Sequence, residues 1–163
     1  MDKVKTIITR AVYGVAEKEC RQTLSLDTYD DRIDEEPQSI LGCVVQDMRL
    51  SAPVLESKGR GEMTVGVRGT YVLHVWYQMG DDTRVFKETV EFTQHIVVEG
   101  QDECPYSNEE IRAWLIGEPK CVESTIRTEG QETSVYLDVV YCIHVEVVGE
   151  AAISVRVFEE ERE

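Results

Sequence analysis

Three histidines, five cysteines and an excess of acids are the side chains in this sequence that could do chemistry. His74 and His144 stand at matching places in YVLHVWY (71–77) and YCIHVEV (141–147). Two histidines brought together across a sheet could hold a metal, and two apart are ordinary surface residues. His95 has no partner in its vicinity in sequence. Cys20, Cys43, Cys104, Cys121 and Cys142 are widely spaced, with no C-x-x-C pair and no Cys/His spacing of a zinc site. That pattern reads as free thiols of a reducing compartment, buried and inert or, when exposed, able to cross-link neighbouring molecules. Asp27, Asp30, Asp31, Asp34, Glu35 and Glu36 crowd one loop but lack the ligand order of a calcium loop, so a solvated loop is expected. G-x-S-x-G, H-E-x-x-H and a post-strand G-x-G-x-x-G are all missing, and GRG at 59–61 is followed by a strand pattern rather than a helix. Acids are numerous enough for a hydrolytic carboxylate pair, but number alone does not place two of them in a cleft. Trp76 and Tyr77 could stack on a sugar or simply pack. No catalytic group, metal or cofactor is assigned.

The elements that carry these residues are mostly strands. Met63, Val65, Val67, Tyr71, Leu73, Val75 and Tyr77 alternate with polar positions, the period of a strand with one buried face. After the turn signal QMGDDT, Phe86, Val90, Phe92, Ile96 and Val98 alternate again, which predicts a hairpin of 63–77 with 84–98. Glu88 and Gln94 interrupt its apolar side. Further strands are expected over 16–26, 40–47, 121–127, 135–147 and 151–157, with turns at 129–131 and at Gly149-Glu150, and a loop over 51–61. Two helices are also expected. Val4, Ile7, Ile8, Ala11, Val12 and Val15 fall at helical spacing, although their branching disfavours a helix. Ser107 and Glu110 form a capping-box signature, with Ile111, Trp114 and Leu115 as a buried stripe and Gly117 and Pro119 as the stop.

The two YxxHV segments and their upstream apolar residues repeat at a fixed offset. This points to two similar β-units, 16–100 and 119–158, joined by a helical connection over 101–118, in one domain of 163 residues. Two half-buried antiparallel sheets pack face to face, so the expected fold is mainly β, a sandwich or two packed units with two short helices. The hydrophobic share of 42% supports a packed interior. A run of about 18 apolar residues, as a membrane span needs, is missing, and charges scattered over the first nineteen positions predict no secretory signal. A net charge of −15 argues against nucleic acid and anionic lipid surfaces as partners.

Several stretches in this order, IITRAV (7–12), QSILG (38–42), VRGTYVLHVWY (67–77), DDTRVFKETVEF (81–92), PKCVESTI (119–126) and EVVGEAAISVRV (146–157), resemble the outer spore coat protein E (CotE) family. The likeness spans Ile7 to Val157. It implies a morphogenetic scaffold made in the mother-cell cytoplasm and then found in the spore coat. It further implies self-assembly into multimers, docking on an inner SpoIVA-type layer and recruitment of outer coat proteins, with no enzymatic role. Family members often carry a long acidic C-terminal tail, where this sequence has Glu159, Glu160, Glu161 and Glu163. The expected self-association contacts are Ile7, Ile8, Ala11 and Val12, with Arg68, His74, Trp76 and Tyr77 on the central strand, and exposed sheet edges can add strands from another chain. The alternative reading is a monomeric carbohydrate- or peptide-binding β-module.

Overall fold

β-Branched and aromatic residues fill the long alternating segments, and such side chains fit a pleated, half-buried surface. The computed structural model describes residues 3–27, 39–59, 61–100, 107–130 and 132–158. It contains seven strands: β1 Lys3–Asp27, β2 Ser39–Leu50, β3 Val54–Lys58, β4 Glu62–Met79, β5 Asp82–Glu99, β6 Ser107–Glu129 and β7 Glu132–Val157. Cys104, most of the acidic loop and the final glutamates lie outside the described residues.

All strand pairs are antiparallel and form two sheets. One has the order β1-β7-β6. In the other, β4 is central, with β5 along one edge and β2 and β3 in tandem along the other. The expected 63–77/84–98 hairpin is present, paired from Glu62↔Glu99 to Met79↔Asp82 around Gly80. The loop expected over 51–61 contains the short strand β3.

No helix occurs among the described residues, which corrects both helical expectations. Residues 4–15 belong to β1, which pairs with β7 from Lys3↔Val157 to Asp27↔Ser134. Val, Ile and Thr lose side-chain freedom in a helix, and β7 offers this segment a full hydrogen-bonding edge. Residues 107–117 belong to β6. Ile111, Ala113 and Leu115 pack against the core while Arg112, Trp114 and Ile116 are exposed, a period of two rather than 3.6. Gly117 and Pro119 mark a bulge instead of a helix stop. Gly117 has φ 69°, and the register moves from Ile116↔Cys142 to Lys120↔Val140. The turn expected at Gly149-Glu150 is also absent, because β7 continues through it with Gly149 opposite Ala11.

The core lies between the sheets. Met63, Val65, Val67, Tyr71, Leu73 and Val75 of β4 face Leu137, Val139, Tyr141, Ile143, Val145 and Val147 of β7, all essentially inaccessible. Each fully buried aliphatic side chain of this kind contributes about 1.5–3 kcal/mol of transfer free energy. Polar groups inside are paired across the interface. Tyr71 Oη donates to Gln22 Oε1 at 2.9 Å, and Gln94 Nε2 donates to Tyr141 Oη at 2.8 Å. Each central strand thus sends its tyrosine to a glutamine of the opposite sheet. At the β1/β5 edge a backbone bridge, Gly14↔Gly100, ties the sheets together. A Cβ at Gly14 would stand 2.7 Å from the Glu99 carbonyl oxygen, so only glycine permits this approach. At the other edge β2 lies against β6.

Candidate functional site

Pairing and burial do not end together. Among the described residues β6 covers β7 as far as Glu150, and residues 3–9 of β1 with 151–157 of β7 continue as a two-stranded arm. Two-stranded ribbons are marginal in water unless something packs on them. Alternation from Val147 through Ala151 carries the core face onto the arm at Ile153, Val155 and Val157, with Ile7 opposite Ile153. Among the described residues the facing sheet does not reach this strip; Ile7 is 44% exposed and Ile153 is exposed, while Val155 and Val157 are half-buried. The reverse face presents Val4 and Ile8, the latter 75% exposed. At the root of the arm Arg10 pairs with Glu110 of β6 at 2.9 Å. Hydrogen bonding from Arg112, then its charge and that of Arg10, holds the Glu110 carboxyl below the usual carboxylate range.

Ile7, Ile8, Ala11 and Val12, expected to share a helix face, are therefore brought together on the β1 edge of the arm and its root. The central-strand candidates divide. Arg68, His74 and Trp76 lie on the outer face of β4, with the His74 and Trp76 rings 6.0 Å apart. Tyr77 is on the inner face, 7% exposed, and packs in the core, so it is removed from the contact surface. Arg68, Ser51, Thr70, Glu91 and Thr93 line a shallow polar groove on that outer face.

The histidines do not meet. His74 is outside one sheet and His144 outside the other. His144 contacts Glu17 at 3.1 Å and Glu146 at 3.3 Å, and its ring lies 4.4 Å from that of Trp114. Sequence reasoning placed Trp114 in a helical stripe and missed this outer patch. The signal was available in the alternation of Ile111, Ala113 and Leu115 with Arg112, Trp114 and Ile116. Among the described residues no group of three or more His, Cys, Asp or Glu side chains is placed to hold a metal ion. The same outer face carries a cluster in which Arg21 and Thr23 hold Asp138.

The thiols fall into three environments. Cys20 is buried on the inner face of β1, and desolvation pushes its thiol up. Cys142 faces outward from β7, and desolvation with the charges of Glu17 and Glu19 raises it too. Cys43 of β2 and Cys121 of β6 meet at the β2/β6 edge.

Two antiparallel sheets packed face to face, with an apolar two-stranded arm, define an all-β protein. The chain belongs to the outer spore coat protein E (CotE) family, whose model matches residues 3–163. No curated protein and no solved structure matches it. The family is one of morphogenetic, structural proteins of the spore coat, which places this chain in that coat among other coat proteins.

Proposed function

We propose that the chain is a non-enzymatic scaffold that self-assembles into multimers and recruits outer coat proteins onto an inner SpoIVA-type layer. It acts as one domain, made in the mother-cell cytoplasm and carried into the coat as a layer of copies. The observation that supports self-assembly is the arm. Among the described residues its strands pair only with each other, and the apolar strip of Ile7, Ile153, Val155 and Val157 continues the core face beyond the described strands of the facing sheet. A second copy laying its own strip or edge on this one would complete a layer that a single chain leaves half built. The outer faces, with Trp76 and His74 on one side and Trp114 and His144 on the other, remain free for other coat proteins.

The test is sedimentation velocity with electron microscopy of the purified chain over a wide concentration range. Large ordered species that grow with concentration are expected. Ile7→Asp and Ile153→Asp should each shift the distribution toward monomer without changing the far-ultraviolet spectrum, since both lie on the strip beyond the core. A chain that stays monomeric throughout, or assemblies indifferent to both substitutions, refutes this reading.

A further inference from the structure

One edge of the sandwich is closed by backbone, at Gly14↔Gly100; at the other, side chains of β2 and β6 meet, Cys43 and Cys121 among them. Opposite Val75 of β4 and Val139 of β7 respectively, both cysteines lie on the inner faces of their strands and pack against the core rim. Both line one open groove of about 230 Å³, shared with Val44, Val45, Pro119 and Lys120. Two thiols from different sheets, lining one groove, half-buried and reachable by a small molecule, form a site that nothing in a passive packing role requires. We propose that Cys43 and Cys121 are a dithiol oxidised by a small peroxide to an intrachain disulfide, which staples the two sheets at the edge that lacks the backbone bridge.

The pair is asymmetric: interaction with Cys121 and burial raise the Cys43 thiol, while Cys43 and the Glu123 backbone lower that of Cys121. The Cys121 thiolate attacks hydrogen peroxide. An S–O bond forms, the O–O bond breaks, and hydroxide leaves to be protonated to water. Cys43 then gives up its proton and attacks the Cys121 sulfenic sulfur. The S–S bond forms, the S–O bond breaks, and the hydroxide that departs takes the proton. The two sulfurs together lose two electrons, and one peroxide is reduced to two waters. Of the other described thiols, Cys20 is buried and Cys142 is raised by burial and the nearby charges of Glu17 and Glu19, so neither competes as a nucleophile. The inference also removes Cys43 and Cys121 from the thiols available for cross-links between chains, and it stands independently of the assembly reading.

Trypsin separates the two residues cleanly, since Cys43 falls in the 33–49 peptide and Cys121 in the 121–127 peptide. The reduced full-length chain is treated with a small molar excess of hydrogen peroxide, and remaining thiols are alkylated. The monomer band from a non-reducing gel is digested and analysed by mass spectrometry. The 33–49 and 121–127 peptides should appear joined and lose their alkylated forms, while Cys142 stays alkylated. Oxidation should raise the Tm by about 10 °C, because the link closes a long loop. Cys43→Ser/Cys121→Ser should lose that rise. If the two peptides stay alkylated, or are joined only in dimer bands, the proposal is wrong. An equal Tm rise in the double variant would also overturn it. The wild-type peptide map decides the matter even if the double variant fails to fold.

Discussion

Asp138 shows how a single outward-facing acid can tie two strands together. Thr23 Oγ1 donates to its Oδ1 at 2.6 Å, and Arg21 donates to its Oδ2 through Nε at 3.1 Å and Nη2 at 2.5 Å. All these bonds favour the ionised carboxylate, so the hydrogen bond of Thr23 and then that of Arg21 hold the group below its ordinary range. A carboxyl depressed in the folded state contributes stability above its unfolded pKa and loses it as pH falls through the folded value. Asp138→Asn should therefore lower the Tm near neutrality. The gap to the wild type should close as pH drops below about 4, the ordinary aspartate value. A gap that keeps its size at acid pH would mean that shape, not charge, is what the site supplies. Inside the sandwich the pairing is neutral. Gln94 looked like a flaw in the apolar side of its strand because sequence does not show what stands opposite. The structure puts Tyr141 Oη there. Tyr141→Phe leaves the Gln94 amide without this partner, and urea unfolding should register a loss of about 1 kcal/mol. A neutral result would show that water replaces the hydroxyl.

At the scale of elements, legibility depended on whether one period fitted alone. The β4–β5 hairpin was readable because strict alternation flanks a Gly-Asp turn. In β1 the two periods overlap. Val4, Ile8 and Val12 share one face of a strand and Ile7, Ala11 and Val15 belong to the opposite parity, while all six also fall on one helix stripe. A strand that is apolar on both faces imitates a helix, and this one is apolar on both because most of that stretch is the arm, not the sandwich wall. Ile7, Ile8, Ala11 and Val12 thus lie on a strand of the arm and its root rather than on a helix face. Alternation over 111–116 could have put Trp114 on an outer face, but its pairing with His144 depends on a β6–β7 register that no local pattern specifies. The Cys43–Cys121 meeting was hidden for the same reason, because it needs the packing of one sheet on the other. The place where β1 leaves the sandwich can be tested through Gly14. A valine there would thrust Cβ to within 2.7 Å of the Glu99 oxygen and 2.8 Å of Val98 Cγ1, and neither backbone can retreat without opening the edge. Gly14→Val should lower the unfolding free energy by about 2 kcal/mol, measured by urea denaturation. An unchanged midpoint would mean that the Gly14–Gly100 bridge is dispensable.

For the whole molecule, the echo of 71–77 in 141–147 has a structural counterpart: these segments are the middles of the two central strands, β4 and β7. The strand preceding each lies on one edge, and β1 occupies beside β7 the place that β5 occupies beside β4. Because β1 comes from the other end of the chain, the first and last strands leave the sandwich together, and their shared overhang is the arm. The proposed assembly through that arm would have to overcome a net charge of −15 on every copy. Apolar contact acts only at close range, whereas repulsion between acidic copies extends over about 30 Å at 0.01 M salt and about 8 Å at 0.15 M. Light scattering should therefore show assembly strengthening as salt is raised from the lower to the higher value, with little further change once repulsion is screened. The reverse trend, assembly that dissolves on adding salt, would mean that ion pairs between copies hold the assembly in place of the apolar strip. Ile7→Asp would then leave the assembly unchanged.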